Sequence, residues 1–580
     1  MKWTIASSNP AAVEKLVREL SLTPPASRVL CSRGLGQLEQ ARRFLEPRLA
    51  DLHDPLRLAG MEAAVTRLRH AIERKERILL YGDYDADGTS AVVILKKGIE
   101  LAGGQASFHV PHRLRDGYGM RSEVVEDAAS SGISLIISVD TGIRANDVVR
   151  HASALGIDVI VTDHHLPEEE LPPALAVLNP NRPDCPYPEK NLCGAGVALK
   201  FVDALLMRSG FENARRDRLM DSFLKLVAIA TVADVVPLTG ENRVIVKRGL
   251  GGLDKVSNPG LRALLDVSGF NEGRAPTAGQ VAFRVAPRIN AAGRMDTASD
   301  VIEMFLTHDP ARARDLASKL HDLNQDRQQT EAEIAQAILF QCIEQPVTDR
   351  DAALVFAGEG WHRGVVGIVA SRVVERFHRP AFVLGIENGV AQGSGRSIAV
   401  FHLLDALESM PDLFTKFGGH RQAAGVTLSA DRVEEFRARF RDYASARLTP
   451  ADFERELEID AEIRLDEITT RAVSDILRLA PFGYGNPSPI FAVRQVEMPD
   501  EAEVRSEKHV FFRLRGNDRT VRVKAWNFVD RLSELNPGSR IDVALQFEDD
   551  PYSAARGYAS WQAVVVDVRP ADVAGENAAR

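Results

Sequence analysis

Asp83, Asp85 and Asp87 alternate in the run GDYDADG, where Gly88 permits a sharp turn. Asp140 stands just before Thr141-Gly142, and Asp163 is followed at once by His164 and His165. Asp234 closes an apolar run in TVADVVP. Carboxylates gathered in one place repel one another unless cations neutralise them. Oxygen ligands with one imidazole suit hard or borderline ions such as Mn²⁺ or Mg²⁺, whereas zinc favours thiolates. Two such ions side by side activate a water and steady the leaving oxygen of a phosphate ester. Taken singly, each group has a blander reading. An Asp after a strand is often a turn residue or a helix cap, and a pair of histidines is more often structural. Recurrence at successive strand ends is what favours a site. A calcium loop fits less well, because the twelfth position counted from Asp83 is Ile94 instead of Glu.

For these groups to meet, the elements before them must lie side by side. Apolar runs at 77–81, 107–110, 134–139, 157–161 and 175–179 predict short buried strands, with helical segments between them. That alternation predicts an α/β domain built on a parallel sheet, whose carboxyl edge collects the chemistry. Residues 1–50 read as a helical segment punctuated at Pro24 and Pro25, and another helical run covers 222–236. Asp309 and Pro310 then open a long helix, with Leu316, Leu320, Leu323, Ile334 and Ile338 at helical spacing to about residue 343. Polar Arg327 and Thr330 interrupt its apolar stripe, which argues against a coiled coil. A smaller α/β unit follows from 352–357 to about 448, and alternating strands from about 455 predict an all-β, OB-like barrel. The expected division is 1–50, 51–300 for catalysis, 301–345 for the connecting helix, 346–450, 451–570, and a disordered tail at 571–580.

Composition sets looser bounds. A chain of 580 residues exceeds what one core holds, and 45% hydrophobic with 26% charged residues is a globular balance. The net charge of −9 excludes an evenly basic surface but leaves room for local basic grooves. Only four cysteines occur, none in a CxxC pair, which suits a reducing compartment. No apolar signal core opens the sequence, and the run 224–238 is broken by Lys225 and Asp234. The expectation is a soluble, cytoplasmic protein without a membrane span.

In order, YGDYDADGTSA, SVDTGI, VTDHH and ATVADVVP resemble the four motifs of the DHH phosphoesterase family, in which Asp163-His164-His165 would be the eponymous triplet. The resemblance implies that Asp83, Asp85, Asp87, Asp140, His164 and Asp234 hold two Mn²⁺ or Mg²⁺ ions, with Asp140 bridging. It implies that His165 meets the scissile phosphate while Asp163 orients the histidines. GWHRGVVGIVASR, GSGRS and FGGHRQAAG resemble the family's DHHA1 substrate-binding domain. There a helix opened by Gly364 and Gly367 offers its N-terminus to an anion. Arg363, Ser371, Arg372, Arg396 and His420 add phosphate donors, although each arginine alone reads as a solvated ion pair.

The family includes pyrophosphatases, nanoRNases, cyclic dinucleotide phosphodiesterases and single-strand exonucleases. RVAPRINAAGRM, with Arg284, Arg288, Asn290 and Arg294, resembles the exonuclease branch. So do PHRLRDGYGM, with Arg113, Arg115 and Tyr118, and LAPFGYGNPSPIF. Tyr118 suits base stacking, and a packed loop tyrosine explains it nearly as well. In the barrel, Arg505, Lys508, His509, Arg513, Arg515, Arg519, Arg522 and Lys524 interleave with Phe511, Phe512, Trp526 and Phe528. Basic and aromatic groups on one β surface suit single-stranded nucleic acid, and at least one of Phe511 and Phe512 must point inward. The resemblance covers residues 50–570. It implies a 5′-to-3′ exonuclease on single-stranded DNA, acting in repair and recombination; the oligomeric state is left open, with a monomer as the expectation. It also implies a single-stranded-DNA-binding protein and a RecQ-like helicase as partners. The alternatives are a nanoRNase, a cyclic dinucleotide phosphodiesterase, or a catalytically silent DHH protein of the replication fork. The complete acid set and the added barrel weigh against them.

Overall fold

The structure, a computed structural model, describes every residue except 114, 118, 272, 349, 517–518, 558 and 572–580. Tyr118 and nearly all of the expected tail therefore lie outside the described residues. The first sheet has five parallel strands, in the order Ala106–His109, Arg77–Tyr81, Ile133–Val139, Asp158–Thr162, Ala176–Leu178. They fall within a residue or two of the expected runs, because strands covered on both faces must be apolar throughout. Helix Ala86–Leu101 leaves the first of these strands in the sequence and packs on Gly194–Arg208, both almost wholly buried. Helix Asn213–Ala233 starts earlier than the expected 222, since its first turns are polar and carry no apolar period. Asp234 is its C-cap residue.

The connecting helix spans Pro310–Glu344, and the Asp309 carboxylate accepts the Ala311 N–H at 2.8 Å. Its interrupted stripe has a physical cause: Asn324, Arg327 and Glu331 are buried in its middle. Arg327 donates to Glu331 at 2.6 Å and to Asn324 at 3.0 Å, and Arg372 of the next unit also pairs with Glu331. The second sheet runs Lys416–Gly419, Ala423–Ser429, Val390–Arg396, Ala381–Glu387, Leu354–Glu359, with only the last pair parallel. Helices Val366–Phe377 and Val433–Ser445 seal separate apolar clusters against it.

The C-terminal sheet has seven strands, and a pairing of Glu497 with Arg515 joins its second strand, Phe491–Glu497, to His509–Gly516. Seven exceeds the five or six expected, and a helix, Thr470–Leu477, sits within a stretch that reads as all β. Residues 1–50 are also not purely helical. Lys2–Ile5 forms a parallel pair with Glu456–Ile459. Helices Pro10–Leu20, Pro24–Ser32 and Leu38–Leu45 bury Leu16, Val29, Leu30 and Leu45 in the same core as the barrel's Phe491, Phe512 and Val543. Pro24 opens a helix instead of breaking one, as its fixed φ allows at the first turn.

Candidate metal centre and phosphate cleft

The parallel register carries Asp83, Asp140 and Asp163 to one edge of the first sheet. Asp85 caps the following helix, its Oδ1 accepting the N–H groups of Asp87 and Gly88 at 2.9 Å each. Asp87 crosses to the N-terminus of Gly194–Arg208, where Gly194 and Ala195 donate to it at 2.6 and 2.8 Å. Asp140 holds a left-handed backbone, φ 62°. A Cβ on Gly194 would lie 2.6 Å from the Asp140 carboxylate.

His164 stands at the middle of the cluster. Its Nε2 is 3.2 Å from Asp140, 3.6 Å from Asp234 and 3.8 Å from Asp87. Donor atoms of Asp87, His164 and Asp234 lie within 4.8 Å of one another, and so do those of Asp83, Asp85 and Asp140. A third such group, Asp140, His164 and His165, overlaps both. The fit to hard cations rests on atoms as well as residue types. Asp83 Oδ1, Asp234 Oδ2 and His164 Nε2 are buried without a hydrogen-bond partner among the described residues. Unpartnered buried donors and acceptors are costly, and a cation answers all three.

The electrostatics agree. Burial, then the charge of Asp85, pushes Asp83 up to about 8. Burial, then Asp87 and Asp85, pushes Asp234 up to about 9. Asp87 and Asp140 are raised chiefly by burial, with neighbouring carboxylates adding to it. Burial lowers His164 and keeps its ring neutral, as a ligand requires. Asp163 behaves differently. Burial would raise it, but the hydrogen bond and charge of His165 and the Ile143 N–H hold it below the usual range. Its Oδ1 accepts the His164 and His165 N–H groups at 2.7 and 3.1 Å and meets His165 Nδ1 at 2.7 Å. Burial opposes a proton on His165, yet Asp163 keeps that proton above the ordinary range. Asn179 and Asn181 clamp the same loop by donating to the His165 and His164 carbonyls at 2.8 and 2.6 Å. Neither belongs to a motif that marks the site in the sequence, although asparagine just past a strand end is a known loop fastener.

The expected phosphate donors separate into two sets. Arg113 sits close enough to both Arg294 and Arg396 to disfavour their charges, adding to the larger effect of burial on each. Burial, then Arg113, Arg327 and Arg396, brings Arg294 down to about 10. Asn290, Arg294, Ser371 and Arg372 line one cleft of about 1290 Å³, together with Arg327, which in the sequence shows only as a break in an apolar stripe. Asn290 also has a structural task, since its Oδ1 accepts the Ala86 N–H at 2.8 Å and steadies the metal loop. Arg288, Arg363, Arg115 and His420 do not line that cleft. Arg288 donates to His321 at 3.0 Å, and Arg363 donates to Gln392 and Glu387 at 2.9 and 3.2 Å. Arg115 and His420 are exposed.

The barrel departs from a bare basic stripe. Arg505 and Arg522 pair with Glu503, Arg513 with Asp500, Arg515 with Glu497 and Lys524 with Asp550. Acids on the same strand, on adjacent strands and in the loops between them supply these partners, and no periodicity of the basic residues reveals them. Phe512 joins the inner core, while Phe511 lies outside that core beneath Arg505 and Arg522, 4.7 and 5.6 Å from its ring centroid. Phe528 is buried, which leaves Trp526 as the exposed ring of the four.

A parallel sheet bearing this acid–histidine set, joined by one helix to a mixed sheet, defines a two-domain phosphoesterase. Family models agree segment by segment: DHH family, N-terminal domain at 77–231, DHHA1 domain at 350–446 and RecJ OB domain at 459–567. The chain is 38% identical to the single-stranded-DNA-specific exonuclease RecJ of Bacillus subtilis, over 94% of this chain and 68% of that protein. It is 41% identical to the RecJ of Dickeya dadantii, over 81% of this chain and 83% of that one. The crystal structure of Thermus thermophilus RecJ in complex with Mn²⁺ superposes with a TM-score of 0.82 at 33% identity, covering 98% of this chain and 79% of that one. The chain belongs to the RecJ family of DHH phosphoesterases. Among its described residues, no helix is long and apolar enough to cross a membrane.

Proposed function

We propose that the chain is a metal-dependent exonuclease that removes nucleotides from the 5′ end of single-stranded DNA. One observation carries the reading. Two sets of buried ligand atoms, joined through Asp140 and His164, stand beside a group of mutually repelling arginines. The first set suits divalent cations, and the second suits the anion that those cations would help cleave. Asp83, Asp85, Asp87, Asp140, His164 and Asp234 would hold two Mn²⁺ or Mg²⁺ ions, with Asp140 shared. Bound there, such ions supply Lewis acidity and make water a nucleophile near neutral pH. His165, oriented by the 2.7 Å contact of its Nδ1 with Asp163, donates to a phosphate oxygen and stabilises its growing charge. Arg113, Arg294 and Arg396 receive the terminal phosphate, and Ser371 and Arg372 line its approach. RecJ proteins crystallised with Mn²⁺ and with Mg²⁺ support the choice of ions.

The division of labour follows the expected boundaries: catalysis within 51–300, substrate grip within 346–450 and strand binding within 451–570. The enzyme would work in the cytoplasm as a monomer, in repair and recombination, alongside a single-stranded-DNA-binding protein and a RecQ-like helicase. Strands labelled at the 5′ or the 3′ end, offered with Mn²⁺ or Mg²⁺, test the reading. Early release of the 5′ label as a mononucleotide is expected, with blunt duplex resisting. Single strands left intact in every divalent ion would end it.

A further inference from the structure

Phe283 is the most exposed large apolar side chain among the described residues, 82% open to solvent. It sits in a π turn, Val281–Val285, whose end residues are buried and which runs on into helix Ala286–Met295. Single π turns interrupt a helix at a cost and gather at functional sites. Two cavities meet at this ring. One, of about 1290 Å³, lies between the catalytic unit, the connecting helix and the DHHA1 helix, and reaches Asn527 and Asp530 of the barrel. The other, of about 990 Å³, lies between the catalytic unit and the barrel residues Phe547–Asp549. Phe283 alone lines both.

From Phe283 a single helical stripe faces the first cavity: Phe283, Pro287, Asn290 and Arg294. Asn290 touches Ala86, and a Cβ on Gly293 would come within 2.5 Å of the Tyr84 carbonyl, so the far end of the stripe abuts the metal loop. Eleven residues at 1.5 Å each put Phe283 roughly 16 Å from Arg294 along the helix. A stacked strand rises about 3.4 Å per nucleotide, so about five nucleotides fill that length.

We infer that Phe283 is a stacking platform for one base of the incoming single strand, a positioning residue that fixes the strand between barrel and metal centre. This rests on the nuclease reading above and adds the subsite that grips a base instead of a phosphate. A flat ring open on one face accepts any base, which suits an enzyme that must advance through all sequences. A ring that is largely open to solvent contributes little to the core, so its removal should leave the fold intact.

The test compares wild type with Phe283→Ala, Phe283→Leu and Phe283→Tyr on 20-nucleotide single strands in Mn²⁺. Phe283→Ala should raise KM by about 5- to 150-fold, the range given by losing one base–aromatic stack, with kcat at saturating strand close to wild type. Phe283→Tyr should restore KM and Phe283→Leu should not. A series of strands with one abasic position moved through the first eight nucleotides should erase the wild-type advantage at one or two adjacent positions. A Phe283→Ala KM within twofold of wild type overturns the inference, and so does a defect that every abasic strand retains. Wild type that cuts no single strand would instead defeat the nuclease reading itself.

Discussion

Asp140 belongs to two of the three ligand groups around the sheet edge, so its loss should remove more than one ion. Asp140→Asn is expected to lower cleavage at least about a thousandfold, several kcal/mol of transition-state stabilisation, while strand binding persists. Calorimetry with Mn²⁺ alone checks the cause, because a variant that still bound two ions would separate Asp140 from the site. Gly194→Ala should act on the same ligand from behind, since its Cβ would meet the carboxylate at 2.6 Å. A 10- to 100-fold weaker Mn²⁺ affinity is expected, in the range for lost ligand support. The titration of the cluster gives a further outcome. An unfolded aspartate ionises near 3.9, whereas Asp83 and Asp234 are pushed up to about 8 and 9 in the fold. The folded chain therefore holds more protons between those limits. Its stability is fully present below about pH 4 and is lost as pH rises through 8 and 9. Thermal melts of metal-free protein should show Tm falling from pH 5 to pH 9, with a flatter slope in Asp234→Asn. Saturating Mn²⁺ should raise Tm most at the alkaline end. The six aspartates and two histidines were all legible in the sequence, because they cluster in short motifs directly after apolar runs. Gly194, Asn179, Asn181 and Arg327 were not, since their work depends on neighbours distant in the chain.

At the scale of elements, the connecting helix does more than keep two units apart. Glu331 is 1% exposed and holds Arg327 within the helix and Arg372 across the gap. The stripe of Leu316, Leu320, Ile334 and Ile338 announced the helix, but its polar interruption at Arg327 told only against a coiled coil. The structure shows that interruption to be buried because the second unit packs over it. Removing one partner of a buried pair leaves an uncompensated charge, which costs about 3–5 kcal/mol. Glu331→Ala should accordingly lower Tm by several degrees. It should also weaken strand binding, since Arg327 and Arg372 both line the cleft. Arg327→Met together with Glu331→Leu removes both charges at once and should recover much of the Tm without recovering binding. Differential scanning calorimetry and strand titration separate the two effects, and equal recovery of both would place Arg327 outside substrate contact. Strand positions were legible for a related reason: a sheet buried on both faces leaves a continuous apolar run in the chain. The pairing of barrel cations with acids was not, because most of these acids lie on other strands or in loops and meet the cations only once the sheet has formed.

For the whole molecule, the expected boundary near residue 50 conceals a long-range closure. Lys2–Ile5 pairs with Glu456–Ile459, and the first three helices share the barrel's core. Arg243, fully buried on the catalytic unit, donates to the carbonyls of Phe44, Leu479 and Ala480, so both ends of the chain are fastened at one joint. A sequence read in order separates residues 16 and 491; the fold places them in one cluster. Truncation should obey the fold. Removing residues 455–580 alone strips the cover from Leu16, Leu22, Val29, Leu30 and Leu45, an apolar surface that drives association. Removing 1–48 as well takes that surface away and leaves both α/β sheets, the connecting helix and the full ligand set. The single truncation should aggregate. The double truncation should remain dispersed, bind Mn²⁺ and bind 20-nucleotide strands more weakly than the full chain, because the barrel side of both cavities is gone. Light scattering, Mn²⁺ calorimetry and strand titration check each point in turn. A single truncation that stayed monomeric would mean that the N-terminal helices find another partner, and full-strength strand binding by the double truncation would remove the barrel from the strand's path.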